Sequence, residues 1–357
     1  MVAMQLPESY RAACLLGPER IEIRDLELPE PQAGELTLRV DVATTCGTDL
    51  KVYKQGGHPR MLQVPSPFGH ECAGTVVAVG DGVEHQRPGD VVVVLNSASC
   101  SHCQYCTAGR ENLCRDLLYL NGAFADYLPV PARFVRRSTY PVPPGLSAEH
   151  ACLTEPLACV LHGIEACSLS AARDVVVLGG GPIGQLLVGA LSSAGHRVVL
   201  VDPHSGRREV AIQMGADATL EPVDSEAVAA ILGLADSGLG FDLAVDATGT
   251  VSGWELATVC IRPGGEVLLF GGCPPGTRLS LDTTRIHYDE IVVRGAYHHR
   301  PATVTRALDL LARHCLPVGI LLSREMPLEH TAEALDSMLR RESLKVVLRP
   351  GSQSLEK

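Results

Sequence analysis

Short alternating or apolar runs recur through the first 150 residues, and clusters of turn-forming residues separate them. Glycine, proline and aspartate between such runs are typical of tight turns that connect strands. The pattern therefore predicts a β-rich domain over residues 1–150. The runs that predict its strands are Glu35–Val42, Ala73–Val79, Asp90–Leu95 and Phe124–Val130.

From about residue 151 the pattern changes to apolar strands that alternate with helical periodicity. Such alternation is typical of a doubly wound parallel sheet, which we predict over residues 151–297. Its predicted strands are Asp174–Leu178, Arg197–Val201, Phe241–Val245, Glu266–Phe270 and Ile291–Val293. The predicted helices are Pro182–Ala194, Gly206–Met214, Pro301–His314 and Glu329–Arg341, and a later strand is predicted at Lys345–Leu348.

Length and charge narrow the class of protein. The 357 residues favour two domains, and 46% hydrophobic residues suffice for two cores. The net charge of −11 argues against partners that are nucleic acids or anionic membranes. No apolar run approaches the roughly 20 residues that cross a bilayer. The first eleven residues lack the basic and apolar segments of a secretory signal, so we expect a cytoplasmic protein.

Thirteen cysteines in such a chain are expected to be thiols and metal ligands in a reducing compartment. Four of them form a Cys-x2-Cys-x2-Cys-x7-Cys run at Cys100, Cys103, Cys106 and Cys114. Four thiolates complete the tetrahedral shell of a structural zinc ion and leave no open position. The run predicts a structural zinc lobe over residues 97–115. Other cysteines are interpreted as small core residues, namely Cys14, Cys152, Cys159, Cys167 and Cys260.

A G-x-G-x-x-G motif lies between the first predicted strand of the parallel sheet and its helix. The first glycine allows a tight turn, the second lets the backbone approach a pyrophosphate, and the third lets helix and strand pack closely. The N–H groups at the start of the helix then face the anion. The motif is Gly179, Gly180, Gly181, Pro182, Ile183 and Gly184.

An acidic residue, Asp202, ends the next predicted strand. Its carboxylate can accept hydrogen bonds from both ribose hydroxyls of NAD and would repel a 2′-phosphate. Arg207 and Arg208 follow in the next helix, where they would either hold a phosphate or face solvent. NAD is therefore favoured over NADP as the cofactor. Further cofactor contacts are predicted at Thr248 and Gly271.

Three more motifs contain residue types that bind zinc. They are Cys46-Gly47-Thr48-Asp49, Gly69-His70-Glu71 and Thr154-Glu155-Pro156-Leu157. Catalytic zinc sites typically use three protein ligands and keep one position open. Each motif alone is a weak signal, but together with a nicotinamide site they predict a catalytic zinc ion.

The order and spacing of these motifs resemble the zinc-dependent medium-chain dehydrogenase/reductase family over nearly the whole chain. The resemblance implies a GroES-like β-rich catalytic domain, completed by residues 298–357, and a Rossmann domain that binds the nicotinamide cofactor. Carboxylates at Glu71 and Glu155 are similar to the branch of polyol (sorbitol) and threonine dehydrogenases. The ethanol dehydrogenases of animals and plants usually carry cysteine where Glu155 stands.

The same resemblance implies a role for each motif residue. Cys46 and His70 would be zinc ligands, and either Glu71 or Glu155 would be the third ligand, with the other close by. Thr48 would accept the substrate hydroxyl proton. Many relatives then have a histidine that ends the proton relay, where this chain has Lys51. A lysine can relay a proton only if its pKa is depressed. Lys51 is therefore either the end of the relay or a residue that contacts substrate or a cofactor phosphate.

The predicted activity is oxidation of a secondary hydroxyl of a polyol, cyclitol or aminocyclitol by hydride transfer to NAD. L-Threonine is the alternative substrate, whose carboxylate would pair with Lys51, Arg60 or Arg300. An alternative of another class is a non-catalytic nucleotide-binding redox sensor, which is disfavoured because the zinc ligands and Thr48 are all present. Family members are commonly dimers or tetramers, so a homodimer or homotetramer is expected.

Overall fold

The computed structural model describes residues 6–169, 173–222 and 227–351. Its strands are β1 Ser9–Gly17, β2 Arg20–Glu27, β3 Leu36–Thr44, β4 Ser66–Pro67, β5 Glu71–Val79, β6 Val91–Val94, β7 Ser97–Ala98, β8 Leu118–Tyr119, β9 Tyr127–Val130, β10 Thr139–Pro141, β11 Asp174–Leu178, β12 Arg197–Val201, β13 Ala218–Leu220, β14 Phe241–Asp246, β15 Ile261–Leu269, β16 Val292–Gly295, β17 Leu322–Pro327 and β18 Lys345–Arg349. Its α-helices are α1 Gly47–Gln55, α2 Gln104–Thr107, α3 Ala132–Ser138, α4 Ala148–Ala151, α5 Thr154–Ala166, α6 Pro182–Ser193, α7 Ser205–Met214, α8 Ala227–Leu232, α9 Val251–Val259, α10 Thr283–Tyr288, α11 Pro301–Ala312 and α12 Thr331–Leu339.

Two compact units make up the chain. The first contains the described residues up to Glu155, residues 300–313, and those from Leu322 onward. The second contains residues 156–299 and 314–321. The sequence predicted that residues 314–321 belong to the first domain, whereas in the structure they belong to the second unit. Leu316 is buried and lies against Gly189 of α6, where a methyl group on the glycine would come within 3.0 Å of the leucine side chain.

The main sheet of the first unit is centred on β3. One edge of β3 pairs antiparallel with β5 along its length. The other edge pairs with β9 near its start and with β18 near its end. The full order of this seven-stranded sheet is β10-β6-β5-β3-β18-β17, with β9 beside β3. Residues of the first and last parts of the chain therefore become neighbours on β3.

Strand register determines which residues meet at the end of β3. Thr44, its last residue, lies opposite Glu71 on β5 and opposite Val347 on β18. Because β3 and β5 are antiparallel, the residues that follow β3 lie beside those that precede β5. Cys46 and His70 are such residues, so the fold brings two distant sequence motifs to one place.

A close approach of backbone and ring explains the glycine before His70. Gly69 has φ +83°, and a Cβ built there would lie 2.3 Å from the Phe124 ring. Phe124 is fully buried and packs edge to face against Phe68. Phe124 was predicted to begin a strand, but the strand starts at Tyr127. The backbone of Phe124 instead hydrogen-bonds to Phe68 and to Ala13.

The second unit contains one six-stranded sheet in the order β13-β12-β11-β14-β15-β16. All five strand pairs are parallel. This is the strand order of a doubly wound dinucleotide-binding sheet, and it confirms the predicted fold of this part of the chain. The central strands β11, β12 and β14 are buried almost completely, as expected for a sheet covered on both faces.

Two cysteines differ from the expectation that they fill the core. Cys14, Cys152 and Cys260 are buried as predicted, whereas Cys159 and Cys167 are only half-buried. Among the described residues, none of the helices combines the length and the apolar character that crossing a bilayer requires.

Candidate metal and cofactor sites

Cys46 lies at the point where β3 gives way to α1. It has extended backbone dihedrals and is the N-cap of the helix, and its Sγ accepts a hydrogen bond from the Thr48 N–H at 3.5 Å. The Asp49 carboxylate accepts a hydrogen bond from the Cys46 N–H at 2.9 Å, which completes a reciprocal cap. The cap fixes the direction of the thiol at a helix N-terminus, a place that favours negative charge.

The other oxygen of Asp49 orients His70. Nδ1 of His70 lies 2.9 Å from Asp49 Oδ1, and both side chains are almost completely buried. Burial opposes protonation of the imidazole, but the adjacent Asp49 carboxylate outweighs it and raises the pKa of His70 well above its ordinary value. With Nδ1 directed to the carboxylate, Nε2 is the atom left for a metal ion.

Glu71 has one occupied carboxylate oxygen and one unpartnered oxygen. Oε2 accepts hydrogen bonds from the Thr44 hydroxyl and from Lys345 Nζ, the latter at 2.6 Å. Oε1 is buried and has no hydrogen-bond partner among the described residues. A buried carboxylate oxygen without a donor is unfavourable, and a bound cation would satisfy it.

These three side chains have the donor atoms and proximity that a zinc ion needs. Ligand atoms of Cys46, His70 and Glu71 all lie within 4.8 Å of one another, and all three residues are buried. Sulfur, imidazole nitrogen and carboxylate oxygen are the usual zinc ligands. Burial, together with the neighbouring Glu71 carboxylate, raises the pKa of the Cys46 thiol, so a thiolate here requires a positive charge beside it. The residues present therefore fit a metal ion.

The other predicted catalytic residues have different surroundings. Glu155 lies in the first turn of α5, is buried, and is grouped with Cys159 one turn later on the same helix rather than with Cys46. Thr48 is half-buried in the first turn of α1. Lys51, on the next turn of α1, is exposed.

The four-cysteine lobe is closed at its base by the short β7–β8 pair, in which Ser97 lies opposite Tyr119. Within it, three Sγ–Sγ distances are 3.6, 3.9 and 4.0 Å. Sulfurs on a tetrahedron with Zn–S bonds of about 2.3 Å would be about 3.8 Å apart, whereas a disulfide is about 2.05 Å long. Hydrogen bonds, led by the Arg115 N–H, lower the pKa of Cys103 to about 6. The four thiols fit a structural zinc ion.

The glycine loop follows β11 as the sequence predicts. Gly179 has φ +97°, and a side chain there would also press on Thr248. A Cβ at Gly184 would lie 1.8 Å from the Gly179 carbonyl oxygen, so only glycine allows α6 this close to the loop. At Gly181, the N-cap of α6, a Cβ would meet no atom within 4 Å, and Pro182 begins the helix with Ile183 following. The open side of the loop is where a pyrophosphate would bind.

Asp202 lies beside this loop at the end of β12. Its two oxygens accept hydrogen bonds from the N–H groups of Gly180 at 2.7 Å and His204 at 2.8 Å. The side chain is buried, and the Arg207 guanidinium lies 3.7 Å from it. Each oxygen keeps a second lone pair for a ribose hydroxyl. Arg208 instead donates to the Asp202 carbonyl oxygen and pairs with Glu221.

Asp246, at the end of β14, organises two further loops. Its carboxylate accepts hydrogen bonds from the Thr248 hydroxyl at 2.6 Å and from the Gly249 N–H at 3.0 Å. Its carbonyl oxygen accepts from the Gly271 N–H at 2.9 Å. Burial raises the pKa of Asp246. The predicted contacts Thr248 and Gly271 therefore lie at the carboxyl ends of adjacent parallel strands, the edge where doubly wound sheets bind ligands.

Comparison with known proteins identifies the family. Residues 32–143 match the model of the alcohol dehydrogenase GroES-like domain, and residues 182–313 match that of the zinc-binding dehydrogenases. The chain is 30% identical to a sorbitol dehydrogenase of Bombyx mori over 354 residues, which are 96% of this chain and 99% of the relative. The chain belongs to the zinc-dependent medium-chain dehydrogenase family. The predicted family and oxidoreductase class are thereby confirmed.

Other relatives of this dehydrogenase include one named for a different substrate and one whose structure contains NADP. An L-threonine 3-dehydrogenase from Idiomarina loihiensis is 28% identical over 92% of this chain and 96% of the relative. A structure from Sinorhizobium meliloti 1021, described as a zinc-binding dehydrogenase bound to NADP, has 30% identity and a TM-score of 0.88. It covers 96% of this chain and 100% of that chain. The predicted combination of a GroES-like domain and a Rossmann domain is confirmed.

For three residues around the sites of the dehydrogenase, the sequence predicted no role. Asp49 stood in a recognised motif, so its place beside His70 could have been suspected from it. Lys345 is a charged residue immediately before the apolar run Val346–Leu348, which is a weak signal of a buried partner. Asp246 likewise ends a strand, after the apolar residues Leu243–Val245. Glu71 is distant in sequence from Lys345, and His70 is distant from Asp49. Cys46, the other partner of Asp49, is three residues away, and the loop bonded to Asp246 follows it directly.

Proposed function

We propose that the dehydrogenase oxidises a secondary hydroxyl group of a polyol, cyclitol or aminocyclitol and transfers hydride to NAD. The observation that carries this proposal is the buried group of Cys46, His70 and Glu71, in which Glu71 Oε1 has no donor within the part of the chain that the structure describes. The sorbitol dehydrogenase relative supports a substrate with several hydroxyl groups.

We assign Cys46, His70 and Glu71 as ligands of the catalytic zinc ion, and the four cysteines of the lobe as ligands of a structural one. Glu71 is preferred over Glu155 as the third ligand because its carboxylate lies within 4.8 Å of the other two ligand atoms. Bound zinc would supply Lewis acidity that favours ionisation of the substrate hydroxyl, and the nicotinamide would accept the hydride.

The chain's own residues then have separate tasks. Asp49 holds His70 in one tautomer and one orientation through the 2.9 Å contact to Nδ1. Thr48, two residues after the Cys46 ligand on a helical turn, would accept the hydroxyl proton. Lys51 is exposed, so a proton passed toward it would reach solvent.

NAD is proposed as the cofactor in preference to NADP because of Asp202. Its carboxylate lies at the glycine loop, bonded to the Gly180 N–H, where a ribose would follow the pyrophosphate. A 2′-phosphate would meet this negative charge. Arg207, which could attract a phosphate, lies 3.7 Å from Asp202 and is partly neutralised by it.

L-Threonine is the second candidate substrate, favoured by the threonine dehydrogenase relative. Of the cations predicted to pair with its carboxylate, Lys51 and Arg60 are exposed. Arg300 is half-buried, with its guanidinium 3.5 Å from the Gly109 carbonyl oxygen. The non-catalytic redox sensor would require a site that no longer binds metal, and the buried donor set argues against it.

A cytoplasmic homo-oligomer is proposed as the form in which the enzyme acts. All thirteen cysteines lie in the described residues and none forms a disulfide, which suits a reducing compartment. Strand β16 forms one end of the six-stranded sheet and carries an exposed valine, Val292. An open strand edge of this kind pairs readily with a second copy.

The test is NADH formation by the purified protein with polyols, inositols, aminocyclitols and L-threonine, with NADP in parallel and zinc content measured. We expect turnover with one of the hydroxyl classes and two zinc ions per chain. Turnover with L-threonine alone would establish the second candidate. One zinc ion per chain without turnover would establish the non-catalytic alternative.

The variant Cys46→Ser tests the ligand assignment itself, and Cys14→Ser is its matched control. Both thiols are buried in the first unit, but only Cys46 belongs to the proposed site. We expect Cys46→Ser to lose one zinc ion and the turnover, and Cys14→Ser to keep both. Full activity of Cys46→Ser would refute the ligand assignment.

A further inference from the structure

One lysine lies in the interior of the first unit. Lys345 begins β18, and its side chain is only 1% exposed. A buried ammonium group is costly unless its protons are donated to acceptors. The groups that accept hydrogen bonds from Lys345 are therefore expected to be held in position by it.

Nζ of Lys345 donates two hydrogen bonds, both at 2.6 Å. One goes to Glu71 Oε2 and the other to the carbonyl oxygen of Thr45. Thr45 is also bonded to β18 through the backbone of Val346. The ammonium group is therefore held beside the last residues of β3, immediately before Cys46.

The two donors to Glu71 occupy the same oxygen. Lys345 Nζ and the Thr44 hydroxyl both donate to Oε2, while Oε1 has no hydrogen-bond partner in the described ranges 6–169, 173–222 and 227–351. Anchoring one oxygen fixes the rotation of the carboxylate, so the other oxygen has a defined direction. That oxygen belongs to the residue grouped with Cys46 and His70.

Charge leads to the same conclusion. The Cys46 thiol and the carboxylates of Asp49 and Glu71 all act electrostatically on Lys345. A zinc ion bound by one thiolate and one carboxylate, with Asp49 and Lys345 beside it, would complete a set of zero net charge.

We propose that Lys345 is a positioning residue of the catalytic metal site, which holds Glu71 by Oε2 so that Oε1 is presented to zinc. The inference rests on the proposed function, because it takes Cys46, His70 and Glu71 as the ligands. It gives Lys345 no contact with substrate. Its effect is on zinc affinity, through the direction and charge of one ligand.

The test is zinc affinity measured by chelator competition on the full chain of the wild type and of Lys345→Met. The zinc of the four-cysteine lobe is the internal control, because those ligands do not contact Lys345. We expect the affinity of the catalytic site to fall about 10- to 100-fold, the usual loss when a residue that orients a ligand is removed, while the lobe keeps its zinc. Lys345→Arg, which retains the charge and donors, should recover part of the affinity.

Two further variants keep the outcome decisive. Lys54→Met, on the exposed side of α1, is the matched control and should bind zinc as the wild type does. If Lys345→Met does not fold, Thr44→Val removes the other donor to Oε2 and should lower the affinity by a smaller factor. Unchanged catalytic-site affinity in folded Lys345→Met, or in Thr44→Val where the first does not fold, would overturn the inference. A wild type that binds only the lobe zinc would instead refute the proposed site.

Discussion

One carboxylate links the helix cap to the histidine at the candidate metal site. Asp49 Oδ2 accepts from the Cys46 N–H and Oδ1 contacts His70 Nδ1, each at 2.9 Å. The two proposed ligands are thus positioned by one side chain that is itself buried. A substitution at Asp49 would disturb the thiol and the imidazole together. Its effect would therefore not add to that of a substitution at Cys46 or His70.

Cofactor choice is also decided at the scale of single residues. Replacement of Asp202 by glycine removes the charge that repels a 2′-phosphate and frees Arg207, 3.7 Å away, to bind one. We expect Asp202→Gly to raise kcat/KM with NADP relative to NAD, with a gain of about tenfold or more in the ratio, equivalent to about 1.4 kcal/mol. Initial rates with both cofactors on the same substrate measure it.

The double variant Asp202→Gly/Arg207→Ala separates the two contributions. It lacks the repelling carboxylate and also the guanidinium that would attract the phosphate. We expect its preference for NADP to fall back toward that of the wild type. An unchanged cofactor ratio in Asp202→Gly alone would mean that Asp202 does not contact the ribose.

Residue types and local motifs predict the proposed ligands better than the residues that position those ligands. The proposed ligands Cys46 and His70 and the glycines of the loop could be named from short motifs because their chemistry depends on local spacing. Lys345 could not, since its partner Glu71 is 274 residues away and they meet only through the register of β18, β3 and β5. The proposed preference for Glu71 over Glu155 likewise rests on the three-dimensional arrangement.

At the scale of elements, uninterrupted apolar runs were predicted most accurately. β11 and β12 have the predicted bounds because every residue in them is apolar except the first. β15 instead begins at Ile261, five residues before the prediction. It includes Pro263, Gly264 and Gly265, which predict a turn, and the pairing with β14 shifts register there.

An ion cluster connects the starts of three strands of the parallel sheet. Asp242 on β14 accepts from the Asp174 N–H at 2.8 Å and pairs with Arg262 on β15 at 2.6 Å. Burial acts to raise the pKa of Asp242, but these donors outweigh it and lower it below the ordinary value of 3.8. The contribution to stability is thus present above about pH 4 and is lost as the pH falls through the lowered pKa.

We expect Asp242→Asn to lower the free energy of unfolding by about 1–2 kcal/mol at pH 7, since one charge-assisted cluster is weakened. Thermal unfolding of both proteins over a pH series measures the difference, which should shrink below about pH 4. Asp309→Asn is the control, because its pair with Arg313 is exposed and should contribute little. A difference that persists at acid pH would show that charge is not the cause.

At the scale of the whole molecule, the open end of the parallel sheet is the feature with the clearest consequence. β16 pairs with β15 on one side, and Val292 is 38% exposed. Tyr288, at the end of the preceding helix, is 78% exposed. Unpaired backbone groups beside exposed apolar side chains favour association with a second copy.

Light scattering of the wild type and of Val292→Asp tests this surface. We expect the wild type to have the mass of a dimer or a larger assembly, and the variant to shift toward the monomer at the same concentration. Val91→Asp is the control, because Val91 is an equally exposed strand valine in the other unit, at 41%. A monomeric wild type would refute the proposed oligomer, and an unaffected Val292→Asp would exclude this edge.

The place of Lys345 in the chain also sets a time order during synthesis. Glu71 leaves the ribosome 274 residues before the lysine that holds it. At about 5–20 residues per second, roughly 15–55 s separate the two. Throughout that interval Cys46, His70 and Glu71 exist in a nascent polypeptide that lacks the ammonium group. On the proposed role of Lys345, zinc binding at full affinity would have to wait for the synthesis of β18, and a truncated product that ends before β18 would compete poorly for the metal.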